Sequence, residues 1–140
     1  MHLRYGFIAD HITPGHANKK TVIGIFDLVV APAFPIKHKT LSLLVRVEGS
    51  RLEAGAHRLA IELIDADGQR LGKSQEIRFE LKIEGRAYPD APLGWEFVME
   101  IPDLVLPQAG AYEFTIKVDG RHLGSVPLYA VQARDARLTH

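Results

Sequence analysis

The chain has 140 residues, 46% of them hydrophobic and 24% charged, with 17 basic residues balancing 17 acidic ones. That length and balance describe one globular domain, exclude wholesale disorder, and give no net pull toward nucleic acid. Cysteine is absent, which removes disulfides, thiol catalysis and cysteine-ligated zinc together.

No run approaches the roughly 20 apolar residues of a membrane helix, and residues 1–10 have no apolar stretch of signal-peptide length. The expectation is a soluble cytoplasmic protein with no membrane and no nucleic-acid partner. The short basic spots Lys19-Lys20 and Lys37-His38-Lys39 read as solvated loops.

Residues that alternate apolar and polar with period 2 place one strand face on a core and the other in water. The first strand is expected at about Leu3 to Ala9, with Leu3, Tyr5, Phe7 and Ala9 on one face, before a turn at Thr13-Pro14-Gly15. The second, Thr21 to Val30, stops at Pro32 and Pro35, because proline cannot continue a ladder. The third, Leu41 to Glu48, points Leu41, Leu43, Val45 and Val47 inward. A connection with room for one helical turn, Gly49 to Ala56, leads to the fourth, His57 to Asp65, which buries Leu59, Ile61 and Leu63.

Asp67-Gly68 then supplies the positive φ of a tight turn. A fifth strand runs from about Ser74 to Glu84, with Ile77, Phe79, Leu81 and Ile83 inward. After the proline-rich 88–94 segment, the sixth alternates Trp95, Phe97, Met99 and Ile101 with Glu96, Val98 and Glu100. The seventh carries Tyr112, Phe114, Ile116 and Val118 and ends in a second Asp-Gly pair, Asp119-Gly120. The eighth spans about Arg121 to Val131, and residues 132–140 form a polar, frayed tail.

About eight strands with no 3.6-residue apolar period predict an all-β fold, a two-layer antiparallel β-sandwich over residues 1–131. An immunoglobulin-like order is the first choice, and a jelly roll or C2-like sandwich the alternative. The second and eighth strands are apolar on both faces, so a loop of the chain or another subunit should cover them. Ile23, Ile25, Val29, Tyr129 and Val131 are the candidate contact residues. Pro127 marks the eighth strand as an edge or a bulge.

Chemistry is sparsely supplied. Asp10, His11 and His16 gather nitrogen and oxygen donors on one loop and are the candidate metal ligands, although a five-residue histidine offset fits no standard spacing. Asp65 and Asp67 could begin a calcium site, with Asp10, Asp90, Asp103 and Asp119 on other loops, but turn formation explains Asp65, Asp67 and Asp119 more simply. Glu96 and Glu100 sit roughly 13 Å apart on one strand face, too far for a glycosidase pair. His122 and Ser125 lack a nucleophile elbow. Gly72-Lys73-Ser74 lacks both the first glycine and the helix of a phosphate loop. Tyr88, Trp95 and Tyr129 could stack on a sugar, but the alternation assigns Trp95 to the core.

Phe7-Ile8-Ala9-Asp10, Gly24-Ile25-Phe26-Asp27 and Ala31-Pro32-Ala33-Phe34-Pro35 resemble the opening of a family of small uncharacterised prokaryotic β-sandwich proteins. Gly110-Ala111-Tyr112-Glu113-Phe114, Val118-Asp119-Gly120 and Ser125-Val126-Pro127-Leu128 fit it as well. That family is a domain of unknown function, so the resemblance implies a fold and no activity. The functional expectation is a non-enzymatic module, without cofactor, that acts through a protein partner or self-association. A metal- or small-ligand-binding domain using the loop histidines and aspartates is the alternative.

Overall fold

A computed structural model describes residues 1–83 and 88–133. It contains nine strands: β1 (His2–Pro14), β2 (Lys20–Phe26), β3 (Leu28–Ala31), β4 (Ile36–Gly49), β5 (Gly55–Ile64), β6 (Arg70–Leu81), β7 (Leu93–Leu106), β8 (Gly110–Val118) and β9 (Arg121–Gln132). They pack as a β-sandwich, one sheet ordered β2-β1-β4-β7 and the other β3-β9-β8-β5-β6. Among the described residues no helix is long and apolar enough to cross a membrane. The expected tail lies outside the described residues from 134 onward, as does Glu84, the expected end of the fifth strand.

The main correction concerns the expected second strand. It is two strands, because the chain leaves one sheet at Asp27 and enters the other at Leu28. β2 pairs antiparallel with β1, whereas β3 pairs parallel with β9, Leu28 opposite Tyr129 and Val30 opposite Val131. The Tyr129 N–H donates to the Asp27 carbonyl at 2.6 Å and anchors the crossing. A segment serving two sheets turns different faces to the core along its length, which a single strand cannot do. Among the described residues the sandwich therefore has one parallel pair and nine strands, not eight antiparallel ones.

The core lies between the sheets. Leu41, Leu43, Val45 and Val47 of β4 meet Leu59, Ile61 and Leu63 of β5 and Tyr112, Phe114, Ile116 and Val118 of β8, all buried as the alternation requires. Trp95 is half-buried against that core and stacks on Phe79 and Phe97, with ring centroids 4.4 and 5.5 Å apart. Ile83, expected inward, is exposed just beyond the end of β6. The expected common face of Leu3, Tyr5, Phe7 and Ala9 is broken by a bulge between Leu3 and Tyr5. Leu3 packs on the main core, while Phe7 and Ala9 fall into a second cluster.

That second cluster sits on the opposite face of the β4 sheet. Leu44, one residue out of phase with Leu43 and Val45, packs with Phe7, Ala9, Ile12, Val22 and Val98. β1 leaves β4 after Ala9 but stays paired to β2 as far as Pro14. The outer half of the β1–β2 hairpin thus returns over its own sheet, and Ile12 and Val22 cover Phe7 and Leu44. Gly24 permits the bend. Its φ of +71° suits glycine, and a Cβ there would collide with the Asp10 carboxylate.

Two further contacts close the sandwich. Where β1 lacks β2 and β9 lacks β3, Gly6 and Gly124 bring the strands together: a Cβ on Gly6 would lie 2.7 Å from Val126 Cγ2, and one on Gly124 2.9 Å from Leu3 Cδ2. Pro127 lies on this same half of β9, before the β3 pairing begins at Tyr129, so its missing N–H falls on a free edge. At the β7–β8 corner, buried Tyr112 donates its Oη to the Gln108 carbonyl at 2.5 Å and accepts from the Gln108 N–H at 3.3 Å.

Candidate functional site

β2 ends its sheet, and among the described residues no strand pairs with its far edge. A strand edge presents unpaired N–H and C=O groups, and folded proteins usually blunt it with lysine, proline or a covering loop. β2 carries Lys20 alone, and that lysine is occupied: its Nζ lies 3.1 Å from Glu96 Oε1. Past it come Ile23 and Ile25, 56% and 65% exposed, on either side of the side-chain-free Gly24. Two large β-branched residues on an open edge form the candidate contact surface.

The five expected contact residues divide. Ile23 and Ile25 are exposed on β2; Tyr129 is 44% exposed on β9, in the other sheet, and Val131 is half-buried there. Val29 is corrected: at 6% exposure it belongs to the core, because β3 turns it inward opposite buried Ala130. The two-faced apolar character of the expected second strand thus has three sources: Val29 in the core, Val22 covering the outer face of its own sheet, and two isoleucines in solvent.

The structure does not build the expected metal site. Asp10, His11 and His16 are all exposed, His11 opposite Ile23 in the ladder and His16 in the hairpin turn, while Asp10 packs beside Gly24. Among the described residues no group of three or more His, Asp or Glu side chains gathers to hold a metal ion. Asp65 forms its turn, its Oδ1 accepting from the N–H groups of Asp67 and Gln69 at 2.9 Å. Asp119 takes the positive φ of the second Asp-Gly turn, but its carboxylate reaches β5 instead of its own backbone.

Two charged clusters went unread in the sequence because their members are distant along the chain. On the covered sheet face, Tyr5, Arg46 and Glu96 lie in one cross-strand row. Tyr5 donates to Glu96 Oε2 at 2.5 Å while Lys20 reaches the other oxygen. Burial pushes the Glu96 carboxyl up, but Tyr5 and Lys20 outweigh it and leave it below the usual range. Glu48, buried, accepts from Arg4 at 2.8 Å and Arg46 at 3.2 Å, and those donors likewise overcome its burial. Both carboxylates stay ionised and bound, so each fastens strands together: Glu48 joins β1 to β4, and Glu96 pins the returning β1–β2 hairpin to β7.

The second cluster surrounds His57. Its Nδ1 lies 2.6 Å from Asp119 Oδ2, its Nε2 lies 2.6 Å from the Glu53 carbonyl, and the Arg58 N–H donates to Asp119 Oδ1 at 2.9 Å. Burial pulls the imidazole down, but Asp119 and the Glu53 carbonyl raise it above its ordinary value overall. The His57 hydrogen bond leads the effects that hold Asp119 below the usual carboxylate range.

No curated protein matches the chain in sequence. Thirty-four chains of solved structures match it. One, a provisionally assigned beta-galactosidase from Bacteroides fragilis, is 17% identical with a TM-score of 0.39, the match covering 69% of this chain and 15% of that one. The model of a family of unknown function, DUF6941, matches residues 4–131, and the chain belongs to that family.

Proposed function

We propose that this protein is a non-enzymatic module that works through protein contacts, made by adding a strand to the free edge of β2. The observation that carries the reading is the pair Ile23 and Ile25, exposed on an edge strand whose single lysine is already bound to Glu96. Strand addition draws affinity from main-chain hydrogen bonds and selectivity from alternate side chains, and this edge offers both. The ionisable groups of the two charged clusters act as strand fasteners, which supports a binding role over a catalytic one.

The strand order supports the immunoglobulin-like assignment within the sandwich class. β9-β8-β5-β6 faces β1-β4-β7, and one extended run divides between the sheets through β2 and β3. The Tyr112 hydroxyl bonded to backbone four residues upstream, at the start of the penultimate strand, resembles the tyrosine corner of such domains and supports the same reading.

A photo-crosslinking residue placed at position 25, with Leu52 as a control that is 98% exposed, tests the reading in cells that express the protein. Protein adducts specific to position 25 are expected. Adducts at position 52 with none at position 25 would overturn the assignment of this edge.

A further inference from the structure

We propose that the partner at the β2 edge is a second copy of this chain, paired antiparallel about a two-fold axis at Gly24. The inference rests on the strand-addition reading above and names its occupant.

Three observations select a second copy. The first is self-complementarity. An antiparallel pair centred on Gly24 sets Ile23 of each copy opposite Ile25 of the other, so all four exposed isoleucines meet in two direct cross-strand pairs. The same register sets Val22 opposite Phe26 and ends there, because the chain leaves this sheet at Asp27.

The second is charge. Lys20 is the only charged residue of β2 and lies outside the paired residues 22–26 of this register, so no like charges oppose each other. The formal net charge of the chain is +0, so two copies approach without long-range repulsion. An acidic or basic partner would find no complementary row along this edge.

The third is closure. A two-fold contact of this kind is closed. It consumes the β2 edge of both copies and leaves β7, at the other end of the sheet, outside the interface, so it yields a dimer instead of a fibre.

The test combines sedimentation equilibrium with engineered cysteines, which a chain with no native cysteine permits. The wild-type chain is expected to dimerise. Ile25→Lys should weaken the dimer by about tenfold or more, and Leu52→Lys should not, both variants keeping the wild-type circular dichroism. Under mild oxidation, an equimolar mixture of Ile23→Cys and Ile25→Cys chains should form mainly the mixed disulfide. Directly opposed residues lie about 5 Å apart and diagonal ones about 7–8 Å.

A dimer indifferent to Ile25→Lys, or disulfides dominated by like-with-like pairs, would overturn the proposal. A wild-type monomer at about 0.5 mM would overturn it as well, that being far above the micromolar range of standard contacts. A Thr-Val repeat hexapeptide then separates the two readings. If it shifts the amide resonances of residues 20–26 in the monomer, strand addition stands and self-pairing fails. If it shifts none, both fail.

Discussion

The His57 ring is held from both sides, its Nδ1 2.6 Å from Asp119 Oδ2 and its Nε2 2.6 Å from the carbonyl oxygen of Glu53. A neutral imidazole has one N–H, so both contacts are hydrogen bonds only when the ring carries two protons. In its charged form the ring therefore ties the β8–β9 turn to the 3-10 turn at Arg51–Glu53.

A pH dependence follows from the directions of the shifts. The His57 pKa is raised from 6.5, so its contribution is complete below that value and is lost as pH rises through the higher folded value. The Asp119 pKa is lowered from 3.8, so its contribution is present above that value and is lost as pH falls through the lower folded one. The tie is strongest between pH 3.8 and 6.5. Asp119→Asn should lower the His57 titration midpoint, followed by NMR, and flatten the pH dependence of thermal stability across neutral pH. Because Asp119 is half exposed, the stability change should be about 1 kcal/mol or less. An unmoved midpoint would remove Asp119 as the cause.

The Gly6–Val126 contact predicts a compensating pair. Gly6→Ala places a methyl group 2.7 Å from Val126 Cγ2 and should cost about 1–3 kcal/mol by overpacking. Val126→Ala makes room while losing its own core packing. In the double variant the costs should therefore fall short of additive, as chemical denaturation would show. Strict additivity would mean that β1 and β9 do not meet at this point.

Tyr112→Phe removes only an oxygen, yet it leaves the Gln108 carbonyl and N–H without their partner across the β7–β8 corner. A loss of about 1–2 kcal/mol is expected in the same denaturation experiment. No change would show that this corner is held by the ring alone.

Much of the sandwich was legible because alternation reports burial directly. β4, β5 and β8 bury the residues that their period assigns to the core, and Asp67-Gly68 and Asp119-Gly120 stand in the turns that they announced. Misreadings arose where the period was interrupted. The bulge beside Arg4 reverses the faces of Tyr5 and Phe7, and a bulge leaves no mark in an apolar pattern.

Asp27 hid the largest difference. A strand that changes sheets and a single strand covered on both faces produce the same apolar run, and only pairing partners distinguish them. Of the candidate site, Ile23 and Ile25 were legible as apolar residues lacking a core position. That β2 is an edge and that Val29 belongs to the other sheet depend on topology. The two charged clusters, one around Glu48 and Glu96 and one around His57, were illegible for a related reason, since each joins residues more than 40 positions apart.

Amide hydrogen exchange measured over a range of protein concentrations tests the central claim most directly. The edge-pairing account predicts that exchange within Lys20–Phe26 slows as concentration rises, while the outer edges of β6 and β7 exchange at one constant rate. Exchange in β2 that is the same at every concentration, or protection that develops on β6 or β7 instead, would contradict it.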